Sequence, residues 1–320
     1  MTIKALLLGS AAALSVVTGA QAADAIVAAA PEPMDYVKVC DAFGKGYFYI
    51  PGTETCLKIG GIVRYDIGFK NGDDYFTKNR TRARLEVSSA NDTEYGKAYS
   101  FLRIEANVNN NVSAALGSGF YAGIGGFEFG AFDNQWAKFF GYGVGGTDWG
   151  GDYAFRGDQY VSYTADLGSA KAYVSLENDG GINNFTPDVS AGILADFGDG
   201  ASAGLGLSYD TSIESFALKG VVRGKVGAVD LGLMGLYTDD ANNGYYDVKH
   251  KGWGVIAGFG APVADKINVG MTGQYFENGG VKLGGNVTWN VASGFKTFIE
   301  VYHEVDAKVT SGFVRFERKF

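Results

Sequence analysis

Arginine recurs at every second residue in one short stretch of the chain, from Arg80 through Arg82 to Arg84. Glu86 and Ser88 continue this spacing, while threonine, alanine, leucine and valine fill the positions between them. A period of two is that of a β-strand, whose successive side chains point to opposite faces of the sheet. Such a strand has one charged face that contacts water or ions and one hydrocarbon face. A single segment of this kind also fits a half-exposed strand of a soluble antiparallel sheet.

Patterns that would support catalysis are weak in this sequence. Gly141, Gly143 and Gly146 fit the pattern G-x-G-x-x-G, but no amphipathic helix follows them, which disfavours a dinucleotide site. The two histidines of the chain, His250 and His303, lie on different predicted strands, which argues against a zinc site or a catalytic triad. We therefore expect no enzyme activity, no metal and no cofactor.

The first 22 residues have the pattern of a secretory signal peptide. Lys4 precedes an apolar centre at residues 5–17, and small residues end the segment at Ala22. This apolar part is shorter than the roughly 20 residues that a spanning helix needs. We predict cleavage after Ala22 and export of the mature chain.

Cys40 and Cys56 are the two cysteines of the chain and enclose the segment CDAFGKGYFYIPGTETC. An even number of cysteines in an exported chain favours a disulfide, which stabilises a loop of this size by about 3 kcal/mol. The alternative is a metal site with two cysteine ligands, but no histidine lies nearby in the sequence.

Composition favours an all-β protein. The 320 residues include 49 Gly, 19 Tyr and 22 Phe but only 5 Pro, which is typical of many tight turns and aromatic bands. The net charge of -8, without any basic stretch, argues against a nucleic-acid partner. The sequence contains no apolar run of about 20 residues, so we expect no membrane helix.

Alternating segments continue from Leu57 to the end of the chain and add up to about sixteen strands, an even number within the range of outer-membrane barrels. A soluble sandwich would need two sheets to hide so many aliphatic faces in a core, whereas a barrel in a membrane turns them to lipid and keeps a polar interior. Aromatic residues at strand ends would then lie at the membrane interfaces. The predicted strands are 57–69, 80–88, 97–107, 120–124, 127–132, 159–166, 170–177, 188–196, 201–209, 215–225, 228–237, 250–259, 266–276, 281–290, 295–305 and 310–320.

Three parts of the sequence resemble one protein family, the alphaproteobacterial outer-membrane porins of rhizobia and brucellae. These parts are the start MTIKALLLGSAAALSVVTGAQAADAIVAAAPEP, the segment VCDAFGKGYFYIPGTETCLKIGGIVRYD and the ending FVRFERKF. The resemblance implies a homotrimer of 16-stranded antiparallel transmembrane β-barrels that admit small hydrophilic solutes and ions by passive diffusion. Phe316 and Phe320 fit an aromatic signal at the end of the last strand, which the barrel-assembly machinery would read.

A barrel of sixteen strands encloses a water-filled channel that something must narrow. The resemblance implies that the long connection between the fifth and sixth strands, residues 133–158, is a third external loop folded back into the lumen, and long loops are usually functional. Its acids Asp133, Asp148 and Asp152 are expected to face a basic wall. We call that wall, contributed by the first three strands, the arginine wall: Arg64, Arg80, Arg82, Arg84 and Arg103.

The arginines of the wall and the loop aspartates each have an alternative role outside the constriction. An arginine of the wall can instead form a structural ion pair with Glu86 or Glu105, and a loop aspartate can lie at a solvated surface.

The sequence thus predicts a signal peptide at residues 1–22, a periplasmic segment with the disulfide loop at 23–56, and a porin barrel at 57–320. Expected partners are outer-membrane lipid and lipopolysaccharide, further copies of the chain, and peptidoglycan if it is joined to Ala23, for which an ordinary linker is the alternative. A solute-specific porin and a structural barrel tethered to peptidoglycan are the alternatives to a general diffusion channel.

Overall fold

The computed structural model describes residues 37–71, 78–109, 115–178, 186–245 and 251–320. The predicted signal peptide and Ala23 lie outside these residues. The chain divides into two compact units, Met1–Lys38 and Val39–Phe320, and the sheet described below belongs to the second. Among the described residues, no helix is both long and apolar enough to cross a membrane.

Within the described residues, seventeen strands form one antiparallel sheet, in which β1 has two residues and β2 to β17 pair in chain order. The last strand returns to the first long one, so that Ser311 lies opposite Lys70 and Lys319 opposite Ile62. Sixteen strands therefore close into a barrel, as the alternation predicts. The strands are β1 Phe48–Tyr49, β2 Cys56–Lys70, β3 Lys78–Thr93, β4 Gly96–Asn109, β5 Ala115–Ile124, β6 Phe127–Asp133, β7 Gly157–Asp166, β8 Ala170–Glu177, β9 Asp188–Gly198, β10 Ala201–Asp210, β11 Ser215–Val226, β12 Val229–Thr238, β13 Gly252–Ala264, β14 Ile267–Phe276, β15 Val281–Ala292, β16 Phe295–Glu304 and β17 Val309–Lys319.

One strand begins well before its predicted start. β5 begins at Ala115 rather than at Phe120. Its first residues include Gly117 and Gly119, which give no hydrophobic alternation, yet Gly117 pairs with Glu105 and Gly119 with Arg103 of β4. Backbone pairing with a long neighbour thus extends a strand that the side-chain pattern does not reveal.

The two faces of the barrel wall differ as the alternation predicts. In β10 the outward residues Leu205 and Leu207 are 69% and 52% exposed, whereas the inward Ser208 is 1% exposed. In β4 Leu102 and Ile104 are likewise exposed to the outside. An apolar band around a closed barrel is the surface that faces acyl chains in a membrane.

The hydrophobic core lies inside the barrel rather than between two sheets. The segment 134–156, which joins β6 to β7 and which we call the long loop, contributes Trp136, Phe140 and Val144 to this core. Inward side chains of β8 to β13, among them Tyr173 and Met234, complete it.

Candidate functional site

The long loop starts with one helical turn, α1 (Gln135–Lys138), held at its base by Asn134. The Asn134 side chain accepts a hydrogen bond from the backbone N–H of Ala137 and donates one to Glu177 on the inner face of β8. The indole N–H of Trp136 donates to the carbonyl oxygen of Tyr245 at 3.0 Å. These buried contacts fix the direction in which the loop enters the lumen.

Glycines on the inner face of the barrel let the loop lie directly on the wall. A Cβ atom at Gly192 would stand 2.5 Å from the Phe140 ring, and one at Gly270 would stand 2.5 Å from the carbonyl carbon of Gly146. Gly258 has the same close relation to Gly145. Close backbone approach of this kind is open only to glycine.

Hydrogen bonds carry the loop across to the far strands. On β11, Lys219 and Arg223 donate to loop carbonyl oxygens at 2.9 and 2.8 Å. On β16, Glu300 accepts from the backbone N–H groups of Asp148 and Trp149 at 2.6 and 2.9 Å. The loop therefore covers the inner wall formed by β9 to β16, and the lumen that remains lies beside the inner face of β2 to β6.

The arginine wall lines that remaining lumen, but carboxylates alternate with its arginines. Arg84 lies across the strand pair from Glu105, 2.7 Å away, and Arg103 lies across from Glu86, 2.8 Å away. Five arginines thus share four carboxylates, and the wall is a row of paired charges rather than a purely basic surface. The ion pairs are Arg64–Glu317, Arg80–Asp66, Arg82–Glu105, Arg84–Glu105, Arg84–Glu86 and Arg103–Glu86.

The three loop acids lie in different surroundings. Asp133, predicted to belong to the loop, is instead the last residue of β6. It accepts a hydrogen bond from the Tyr142 hydroxyl at 2.8 Å and lines one cavity together with Arg82, Arg84 and Arg103. This cavity has a volume of about 670 Å³. The structure thus brings this acid and part of the arginine wall together.

The other two acids meet cations outside the arginine wall. Asp148 accepts a hydrogen bond from Arg315 at 2.9 Å, and Arg315 in turn donates to Asp66 at 3.0 Å. Asp152 accepts from the Trp149 indole and lies 3.5 Å from Lys282 on β15. Asp148 and Asp152 therefore attach the tip of the loop to β17 and β15 instead of facing the arginine wall across open water.

A loop tyrosine beside the passage stays protonated at neutral pH. Burial, with the carboxylates of Asp133 and Asp148 nearby, raises the pKa of Tyr153 to about 12. Its hydroxyl therefore adds hydrogen-bonding capacity but no charge.

Sequence reasoning missed Arg315, which is 2% exposed and holds both Asp66 and Asp148. The signal was present, because Arg315 precedes the outward Phe316 in an alternating strand and so must point inward. That Asp66 is its partner can be predicted only when the pairing of β17 with β2 is known, because this pairing places the two residues opposite each other.

The predicted disulfide between Cys40 and Cys56 is confirmed, with a Cα–Cα distance of 6.1 Å. It closes residues 40–56, which we call the disulfide hairpin. Lys58 and Lys97, on the lumen side of β2 and β4, lie over the rings of Tyr47 and Phe43 at 5.7 and 5.3 Å. The hairpin thus packs on the inner face at the barrel end where β3 turns into β4.

Comparison with known sequences gives one consistent result. A family model described as the Porin subfamily matches residues 24–317. The chain is 35% identical over 373 aligned residues to porin Omp2b of Brucella canis, and each chain is covered completely. It has the same identity and coverage with porin Omp2b of Brucella melitensis.

Solved structures show the same fold at low sequence identity. The outer membrane channel DcaP of Acinetobacter baumannii is similar with a TM-score of 0.64 and 13% identity, covering 85% of this chain and 99% of the channel. A mutant of Rh. blastica porin is similar with a TM-score of 0.61 and 13% identity, covering 82% of this chain and all of the porin.

Proposed function

Because this chain belongs to the porin subfamily and is an outer-membrane diffusion channel, we propose that small hydrophilic solutes and ions cross it passively between the long loop and the arginine wall. The observation that supports this route is the position of the loop, whose hydrogen bonds run from Lys219 on β11 to Glu300 on β16. The loop occupies that side of the lumen, and the charged inner face of β2 to β4 borders the rest.

Selection in such a passage depends on aperture and charge. Arginines and carboxylates that alternate across β3 and β4 offer both donors and acceptors to a polar solute as it loses water. An apolar solute receives no such compensation, and paired charges impose no large net field. The proposal is therefore a general channel for small hydrophilic solutes.

Liposome swelling with neutral sugars of increasing size tests this function. We expect the swelling rate to fall steadily with sugar size. Swelling with one sugar alone, while other sugars of equal size are excluded, would indicate a solute-specific porin instead. No swelling with any sugar, from liposomes shown to contain the folded barrel, would contradict a diffusion channel of either kind.

The assembly and processing predictions are part of the same proposal. A homotrimer, insertion by the barrel-assembly machinery through Phe316 and Phe320, and cleavage after Ala22 suit an exported barrel of this family. Mass spectrometry of the mature amino terminus, before and after muramidase digestion, tests the cleavage site and the attachment of Ala23 to peptidoglycan. A mature chain that starts elsewhere, or that carries no muropeptide, would contradict the respective prediction.

A further inference from the structure

Three aromatic rings of the long loop form a cluster on its lumen side. The rings of Tyr142, Tyr153 and Phe155 have centroid distances of 6.3 to 6.4 Å from one another. Phe155 is 50% exposed and Tyr142 is 52% exposed, although both belong to a loop inside the barrel. Passive flow of water and ions gives no reason for a half-exposed phenylalanine in the lumen.

Phe155 borders the same cavity as Arg82, Arg84 and Arg103. Phe132 also lines this cavity and lies under the Arg103 guanidinium at 4.6 Å. The cavity of about 670 Å³ therefore combines apolar ring faces with charged hydrogen-bonding groups. Concave sites of this volume and mixed lining are those that hold small ligands.

The arginines and glutamates around the cavity are already paired with each other, and this favours a neutral ligand over an anionic one. Arg84 and Arg103 each donate to a glutamate, Glu105 and Glu86, through bonds of 2.7 to 2.8 Å. An aromatic carboxylate would have to displace one of these glutamates and leave it unpaired, at a cost in free energy. A neutral polyhydroxylated ligand accepts from the arginines and donates to the carboxylates without breaking a pair.

We propose that this cavity is a saccharide subsite, in which the C–H face of a pyranose ring packs on Phe155 and its hydroxyl groups bind the Arg84–Glu105 pair and Asp133. The proposal rests on the diffusion-channel function and adds a preferred solute class to it. The subsite is part of the passage itself. A bound saccharide narrows the passage and lowers the ion current, and other solutes cross while the subsite is empty.

The test is the ion current of single channels in a planar bilayer as glucose or maltose is added. We expect maltose to interrupt the current with a saturable concentration dependence. Phe155→Leu removes the ring but keeps an apolar side chain. It should raise the maltose concentration that gives half-maximal block about fivefold, since an aromatic contact is worth about 1 kcal/mol. Phe155→Tyr keeps the ring and should retain the block.

Phe129→Leu is the matched control, because Phe129 lies on the outer face of β6 and is 49% exposed to the outside. Its block by maltose should equal that of the unsubstituted protein. Equal block in Phe155→Leu would overturn the subsite, as would stronger block by benzoate than by maltose. Conduction of salt by Phe155→Leu shows that the diffusion channel is intact, so failure of the subsite is distinguishable from failure of the proposed function.

Discussion

Each arginine of β3 and β4 that faces the lumen has its carboxylate partner on the neighbouring strand rather than on the long loop. Arg84 and Glu105 are direct cross-strand neighbours, as are Glu86 and Arg103. The β-sheet register therefore creates the ion pairs, and the loop only approaches a wall that is already paired. Opposite charges placed directly across an antiparallel pair also stabilise the sheet itself.

Removing two arginines from this row should leave its carboxylates in excess. Arg82→Ala combined with Arg84→Ala keeps Glu105 and Glu86 but takes away the guanidinium groups that contact Glu105. The passage then attracts cations, and the reversal potential in a KCl gradient should shift toward that of potassium. The measurement is a current–voltage curve in a planar bilayer.

Lys171→Ala with Lys225→Ala is a charge-matched control, since these lysines lie near short turns of β8 and β11 on the far wall. It should change the reversal potential much less. A shift of equal size in both double variants would mean that total charge, rather than the arginine wall, sets ion preference.

At the scale of single residues the sequence predicts which side chains point inward but not what they touch. The alternation in the sequence is enough to predict that Arg82, Arg84 and Arg103 point to the same face of the sheet. The attachment of Asp148 to Arg315 depends on where the tip of the long loop comes to rest. That position is set by contacts between residues far apart in the chain, which no local pattern contains.

Apart from α1, the long loop has no regular secondary structure, and the strands of the barrel wall hold it in place. Inward glycines of β9 to β14 form a surface on which its backbone and Phe140 lie, and Glu300 binds its tip. The high glycine content of the sequence therefore reflects more than turns, because some of these glycines allow the long loop to pack closely on the barrel wall.

Gly270→Ala should push the loop away from β14 and into the passage. The new Cβ would stand 2.5 Å from the carbonyl carbon of Gly146, and overpacking of this kind costs about 1–3 kcal/mol. We expect a lower single-channel conductance and more frequent closures.

Gly285→Ala, on the outer face of the adjacent strand, is the control, because the nearest atom to its Cβ is 3.7 Å away. Its conductance should match that of the unsubstituted protein. If Gly270→Ala conducted in the same way, the loop would not depend on the glycine surface.

The disulfide hairpin is a second element that packs on the lumen side. Replacing Cys40 and Cys56 by serine removes the closure, which stabilises a loop of this size by about 3 kcal/mol. The barrel strands should remain paired, but trypsin should cleave the folded protein faster after Lys45. Cleavage kinetics equal to those of the oxidised protein would contradict this role for the disulfide.

At the scale of the whole molecule, the barrel has hydrocarbon outside and charge inside. Leu205 lies in the middle of β10 and is 69% exposed. Leu205→Arg should lower the free energy of unfolding in lipid vesicles by about 2–4 kcal/mol, the cost of arginine on the lipid face near the bilayer midplane. Urea titration of the refolded barrel measures it.

Gly117→Arg is the comparison for the inner face, since no atom lies within 4 Å of a Cβ built at that position. This substitution should lower the free energy of unfolding far less than Leu205→Arg in the same urea titration. Similar losses for both variants would contradict the assigned polarity of the wall.

The sixteen strands and their polarity follow from the sequence because each strand carries its own alternating pattern. The alternation also predicts closure into a barrel, but it does not predict the register between β17 and β2, the extent of β5 or the contacts of the long loop, because these depend on pairing between distant segments.

Thiol labelling of single channels tests the route of solutes most directly. Arg84→Cys and Leu85→Cys place one thiol on opposite faces of β3, and both native cysteines are already bonded to each other. A bulky, membrane-impermeant methanethiosulfonate reagent should reduce the current of Arg84→Cys sharply and leave that of Leu85→Cys unchanged. An unchanged current in labelled Arg84→Cys, or equal reduction in both variants, would contradict a passage along the arginine wall.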